Sequence, residues 1–180
     1  MHTSFRILPL SLMLGASVFI SACNDDSSSN DAPPPSTTTS KTVSGVAATG
    51  KPISGAAVAM KCSSGSSTAT TAANGAYSIT LANETGPCVL EITGGQVNGQ
   101  NNLLKLHSAV ASTASSSVAN ISPLTEMALA QAVAADPATY FATFNSAVSA
   151  KITTAALAQA QTTLNSQLAL LQGAAGNTGL

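Results

Sequence analysis

Val58-Ala59-Met60-Lys61-Cys62, Tyr77-Ser78-Ile79-Thr80-Leu81 and Cys88-Val89-Leu90-Glu91-Ile92 decide how this chain is read. In the first two every second residue is large and apolar. The third keeps the same phase at Cys88, Leu90 and Ile92, so each is expected to be a strand with one buried face. Working outward, turn residues divide the surrounding sequence into seven short segments, 43–48, 56–62, 68–72, 76–81, 88–93, 103–110 and 117–121. Short strands punctuated in this way form a β-sandwich, in which two sheets bury their apolar faces against one another.

Cys62 and Cys88 both fall on the apolar phase of their strands. Both should point inward, and the expectation is a disulfide that meets across the core. Closing a loop of that size would contribute about 3–4 kcal/mol in the chain-entropy model. A metal site is the alternative, but the nearest nitrogen ligand is a single histidine, His107, and neither cysteine has a second cysteine beside it.

The amino terminus explains why a disulfide is reasonable. Arg6 precedes an apolar stretch over residues 7–20, with Ser21 and Ala22 before Cys23. That is the order of an export signal, and the stretch is too short to span a bilayer securely. Ile20-Ser21-Ala22-Cys23 resembles the lipobox of bacterial lipoproteins, which implies cleavage after residue 22 and a lipid anchor on Cys23. Several acyl chains, each contributing about 0.8 kcal/mol per buried methylene, would hold the protein firmly at a membrane. Asn24 follows the cysteine where aspartate resembles an inner-membrane retention signal, so the expected destination is the outer membrane of a bacterial envelope. Residues 23–42 are otherwise Ser, Thr, Asn, Asp and Pro with single Ala32 and Lys41, with nothing large and apolar to seed a core, and read as a disordered linker. Fully extended, it would reach about 60 Å.

Loss of residues 1–22 leaves 158 residues, five lysines and seven acids, a net charge of −2. So weak a charge offers no basic footprint for nucleic acid. The expected partner is the membrane, through the lipid, together with a protein or glycan ligand of unknown identity.

The runs Val43-Ser44-Gly45-Val46-Ala47, Gly50-Lys51-Pro52-Ile53-Ser54-Gly55-Ala56-Ala57-Val58 and Thr70-Thr71-Ala72-Ala73-Asn74-Gly75-Ala76-Tyr77-Ser78-Ile79 resemble the carboxypeptidase regulatory-like domain. The resemblance covers residues 42–94 and extends more loosely to 121. It implies a transthyretin-like or immunoglobulin-like sandwich of seven strands over residues 43–121, with Pro52 and Gly55 shaping the entry to the second strand, Asn74-Gly75 as a tight hairpin turn, and Tyr77 packed inward. Domains of this family accompany peptidases and many other proteins without peptidase chemistry of their own, so the motifs specify a scaffold.

After residue 121 the period changes. Ser122 before Pro123, and Asp136 before Pro137, are helix starts. A stripe of Phe141, Phe144, Val148 and Ile152 predicts a second helix, and Leu157, Leu164, Leu168 and Leu171 a third beginning near Thr153. The fold class is therefore mainly β, with a short α-helical segment over residues 122–172 and a flexible, glycine-rich tail over 173–180. Longer lipoproteins of this kind carry more sequence after such helices, which makes the chain a candidate for a shortened member.

The candidates for a general acid/base pair in the folded part are Glu84, Glu91, Glu126, Asp136 and His107, and along the sequence they are scattered. Glu91 is expected to face solvent, Glu126 to favour the first turn of a helix, Asp136 to cap one and Glu84 to lie in a loop. His107 and Ser108 are neighbours on a strand and point to opposite faces. Residues 63–67 read as a serine-rich loop without a nucleophile elbow, and Gly94-Gly95 with Gly99 as an ordinary turn outside any phosphate loop. The expectation is a protein that is not an enzyme, without catalytic, cofactor-binding or metal-binding residues. Its first expected role is a lipid-anchored envelope module that displays loops, such as 94–102, to a ligand. The alternatives are a helical segment acting as the interaction element of an adhesin or assembly factor and, last, a cryptic hydrolase.

Overall fold

Alternation along the chain resolves into two facing sheets. The computed structural model describes residues 41–177, with side chains as far as 172. The expected signal peptide, the expected lipidation site Cys23, the expected linker up to residue 40 and residues 178–180 lie outside the described residues. The strands are β1 (Lys41–Val46), β2 (Ala57–Ser64), β3 (Ser66–Thr70), β4 (Ala76–Leu81), β5 (Thr85–Thr93), β6 (Gln96–Val97), β7 (Gln100–Asn101), β8 (Leu106–Val110) and β9 (Ser117–Val118). One sheet has the order β4-β1-β9 and the other β3-β2-β5-β8, seven strands in all, and β6-β7 forms a separate ribbon. The seven expected segments correspond to the seven sandwich strands, with ends shifted by up to a few residues, some longer and some shorter than expected. Leu103, placed on a strand by the sequence, precedes β8 and is 91% exposed.

Between the sheets lie Val43, Val58, Met60, Ile79, Leu90 and Ile92, all buried. Tyr77 packs inward among them, as the family resemblance implies. Its hydroxyl donates to the Ala119 carbonyl, and burial pushes its phenol pKa well above the ordinary value.

Cys62 and Cys88 form a disulfide and are buried in the same core. Their expected route was across the core. Instead they are directly opposed in the antiparallel pairing of β2 with β5, Cα atoms 3.9 Å apart, so the bridge joins neighbouring strands of one sheet. Alternation fixes which face a cysteine points to, and two cysteines on one face can meet within a sheet as readily as between sheets.

Asn74-Gly75 is a tight turn, with the Gly75 amide bonded to the Ala72 carbonyl, but β3 and β4 belong to different sheets. It carries the chain over the edge of the sandwich and is not the hairpin that the resemblance implies. A two-residue hairpin occurs instead at Asn98-Gly99 between β6 and β7, where both φ angles are positive, 51° and 75°. Residues 63–67 are likewise ordered: β2 and β3 are antiparallel neighbours joined at Gly65.

Four helices follow, α1 (Pro123–Val133), α2 (Pro137–Ala142), α3 (Ser146–Ser149) and α4 (Thr154–Asn177). Ser122 and Asp136 cap α1 and α2, and Pro123 and Pro137 open them. The single second helix expected from the phenylalanine stripe is broken. Asn145 accepts the amides of Ala147 and Val148 and starts α3 afresh, so the stripe is built by two short helices and the turns beside them. α4 continues through Gly173 and Gly176 to Asn177, where the sequence suggests a flexible tail. Leu164 on it is buried, while Leu171, placed on the same stripe, is 66% exposed.

The helices cover the outer face of the four-stranded sheet. Val89 packs with Leu129, Val133, Tyr140, Phe141 and Ile152 in a second core, flanked by Ala59 and Ala109. The described residues thus form three layers, sheet on sheet with helices on one side.

Candidate histidine–carboxylate site between sheet and helices

The outer face of β5 and β8 carries Glu91 and His107 directly opposite one another in the strand register. Cross-strand partners in this arrangement are within reach of each other's side chains. His107 Nε2 lies 3.1 Å from Glu91 Oε2. From the other side α1 lowers its first turn onto the same ring: Nδ1 is 2.9 Å from Glu126 Oε2 and 3.1 Å from Oε1, and the backbone N–H of His107 also donates to Glu126. The Thr125 hydroxyl donates to the His107 carbonyl at 3.0 Å. Sheet and helix are therefore tied at one residue through its ring, amide and carbonyl.

Capping fixes the approach of that helix. The Ser122 side chain accepts the Thr125 amide, and the Thr125 side chain accepts the Ser122 amide at 2.8 Å, a reciprocal box that sets the first turn. Glu126 is the next residue and inherits its position from the cap.

His107 is 1% exposed, whereas the Glu91 and Glu126 side chains are 15% and 26% exposed. A carboxylate only accepts, and both ring nitrogens face one, so the arrangement is fully satisfied when the ring is protonated and both nitrogens donate. Burial pushes the His107 pKa down. The hydrogen bond and charge of Glu126, followed by those of Glu91, outweigh it, and the net direction is upward. The Phe141 ring lies 5.8 Å from the imidazole, and Lys61 Nζ stands 4.4 Å above the centre of Phe141 while donating to its carbonyl at 2.9 Å. Lys61 thus closes the last turn of α2, where a cation suits the exposed carbonyls.

The scattered acids of the sequence are therefore partly gathered. Glu91, expected to face solvent, faces the helical layer, because alternation shows which residues leave the sandwich core without showing what covers them. Glu126 is in the first turn of α1, as expected, and also holds His107. Asp136 caps α2 by accepting the Thr139 amide at 2.7 Å. That bond holds its carboxyl below the ordinary pKa, with a smaller contribution from the His107 charge. Glu84 stands apart. Its carboxylate accepts the Ser67 hydroxyl and the amides of Ala82 and Asn83, and the Ser67 bond leads in lowering its pKa. One sequence signal did mark the gathered site: the supposed solvent face reads Ala59, Val89 and Ala109 around the charges, too apolar for an open surface.

His107 and Ser108 do point apart, His107 toward α1 and Ser108 along the phase of Leu106 and Val110. Both ring nitrogens of His107 are engaged by carboxylates of the same chain. The carboxylates approach the ring from opposite sides, and among the described residues no group of three His, Cys, Asp or Glu side chains converges as a metal site would require. The arrangement joins the sheet and the helical layer through one histidine and two carboxylates.

A cleft of about 730 Å³ lies elsewhere, at the end of the sandwich, lined by Lys41, Asn83, Glu84, Ser112 and Thr113. It is open and has no aromatic platform. The ribbon β6-β7, within the segment 94–102 expected to be a displayed loop, is pinned by Asn102, whose side-chain amide donates to the carbonyls of Gly94 and Leu104.

No protein-family model matches the chain, and no curated protein is similar to it in sequence. Among solved structures, a DUF3823 family protein from Parabacteroides merdae ATCC 43184 is similar over 46% of this chain and 45% of its own, with 12% identity and a TM-score of 0.33. The match thus spans less than half the length of either protein.

Proposed function

We propose that the protein is a lipid-anchored, non-enzymatic binding or structural module of the bacterial envelope, held at the outer membrane through Cys23. The observation that carries the non-enzymatic reading is the engagement of His107 by two carboxylates of its own chain. An acid–base residue committed on both nitrogens serves the fold. The Cys62–Cys88 disulfide supports export, since such bonds persist in oxidising compartments. The lipobox-like Ile20-Ser21-Ala22-Cys23 supports anchoring, and the resemblance to the carboxypeptidase regulatory-like domain supports a display role for the sandwich. Among the described residues no helix is long and apolar enough to cross a membrane.

A second reading, in which the helical segment is the element that meets a partner, draws on Leu170 and Leu171. They are 75% and 66% exposed near the end of α4.

The test is the intact mass of protein extracted from membranes in detergent, before and after reduction and alkylation, beside a Cys23→Ala variant. A lipid-sized gain on a chain beginning at residue 23, absent from the variant, with two cysteines labelled only after reduction, is the expected result. An unlipidated chain with freely labelled thiols would overturn both the anchor and the exported location.

A further inference from the structure

We infer that the histidine–carboxylate cluster is a pH-sensitive clasp, closed while His107 is protonated, and that deprotonation of His107 releases the start of the helical layer from the sandwich. The inference stands whether or not Cys23 carries lipid.

Geometry is the first ground. The imidazolium is the cation between Glu91 on the sheet and Glu126 on the helix, bonded to each through a different nitrogen. Remove its proton and one ring nitrogen becomes an acceptor facing a carboxylate, a repulsive contact in a place where the ring is 1% exposed. The pair of carboxylates would then share a site without a counter-ion between them. Glu126 can relieve this by turning to solvent, because its side chain is already 26% exposed, but doing so abandons the His107 amide as well. The attachment and the proton are therefore coupled.

Charges on the surrounding elements do not replace the proton. Lys61, on β2, is turned to the carbonyls of Phe141 and Ala142. Lys151, between α3 and α4, donates to the Val133 carbonyl at the far end of α1. Asp136, before α2, adds a negative charge that His107 feels. α2 otherwise presents the uncharged Phe141 ring.

The direction of the pH effect follows from linkage. The two carboxylates raise the folded pKa of His107 above its ordinary value of 6.5. The clasp thus contributes its full stabilisation below that pH and loses it as pH rises through the folded value. Each unit between the closed and open pKa values changes the closing equilibrium about tenfold.

Two measurements on the intact protein test this together. The imidazole proton shift of His107, assigned with a His107→Gln variant, gives the titration midpoint. Amide hydrogen exchange followed by mass spectrometry, corrected for the intrinsic rise of exchange with pH, gives the opening of residues 122–133. The expected result is a midpoint above 6.5, with protection of residues 122–133 falling over the same range while β2 and β5 stay protected. Glu126→Gln should lower the midpoint and the loss of protection together, and this variant carries the test if His107→Gln does not fold. A midpoint at or below the ordinary value, a pH-independent α1, or an opening that Glu126→Gln leaves in place would each overturn the clasp.

Discussion

At Gly45 the backbone of residues 119–120 lies where a side chain would begin: a Cβ there would collide with the Ala119 carbonyl. The close approach has a purpose, because β9 pairs in parallel with β1 and the Ala119 amide donates to Ser44. The same carbonyl receives the buried Tyr77 hydroxyl, so two residues on neighbouring strands serve a single backbone group. Gly45→Ala should therefore force backbone apart and cost about 1–3 kcal/mol, in the range of overpacking. Tyr77→Phe keeps the ring but leaves the carbonyl without its donor, which costs a buried acceptor about 1–3 kcal/mol. Urea unfolding of both variants checks the pair. A Gly45→Ala midpoint equal to that of the parent protein would show that the β1-β9 contact is loose. Neither constraint is legible in the sequence, where Gly45 is an ordinary small residue of a strand and only the inward phase of Tyr77 can be read.

Elements were legible where period and punctuation agree. The seven sandwich strands follow from alternation, and α1 and α2 from Ser122-Pro123 and Asp136-Pro137, since caps act over a few residues and need no tertiary information. Misreadings arose where local chemistry is ambiguous. Asn74-Gly75 and Asn98-Gly99 are the same dipeptide, and which one joins paired strands depends on how strands are shared between sheets. The apolar stripe from Phe141 to Ile152 is continuous although the helix is not, because apolar period reports the buried face and Asn145 competes for the amides that would continue the turn. The site was only partly legible for a related reason: strand phase placed Glu91 outside the sandwich core and set His107 and Ser108 on opposite faces, and the apolar Ala59, Val89 and Ala109 hinted at a cover, but nothing local says that a helix sixteen or more residues beyond His107 supplies it. α1 ties these levels together. Ser122→Ala removes the acceptor for the Thr125 amide and should cost about 1 kcal/mol. It should also raise amide exchange in residues 123–127 ahead of the sandwich strands. Unchanged exchange there would mean that the cap does not set the first turn.

At the scale of the whole molecule the helical layer is structural cover for the outer sheet face, and this changes what removing it would mean. Without residues 122–180 the sandwich would present Val89 to water, 0% exposed in the folded protein, together with Ala59 and Ala109. It would also lose the packing of Leu129, Val133, Phe141 and Ile152, side chains whose burial stabilises by about 1.5–3 kcal/mol each. Glu91 and His107 would be left without Glu126. A chain ending at residue 121 is therefore expected to unfold at lower urea, to bind an apolar dye, and to self-associate through the uncovered face. A chain ending at residue 166 is the informative contrast, since it keeps Leu164 and gives up Leu170 and Leu171, which are already exposed, so its stability should stay close to that of the full chain. If the 121-residue form proved monomeric and as stable as the intact protein, the helices would be an appendage and the three-layer account would fail. If both truncations were equally damaging, the end of α4 would have to bury surface in a contact beyond this chain, which would favour the reading in which Leu170 and Leu171 meet a partner.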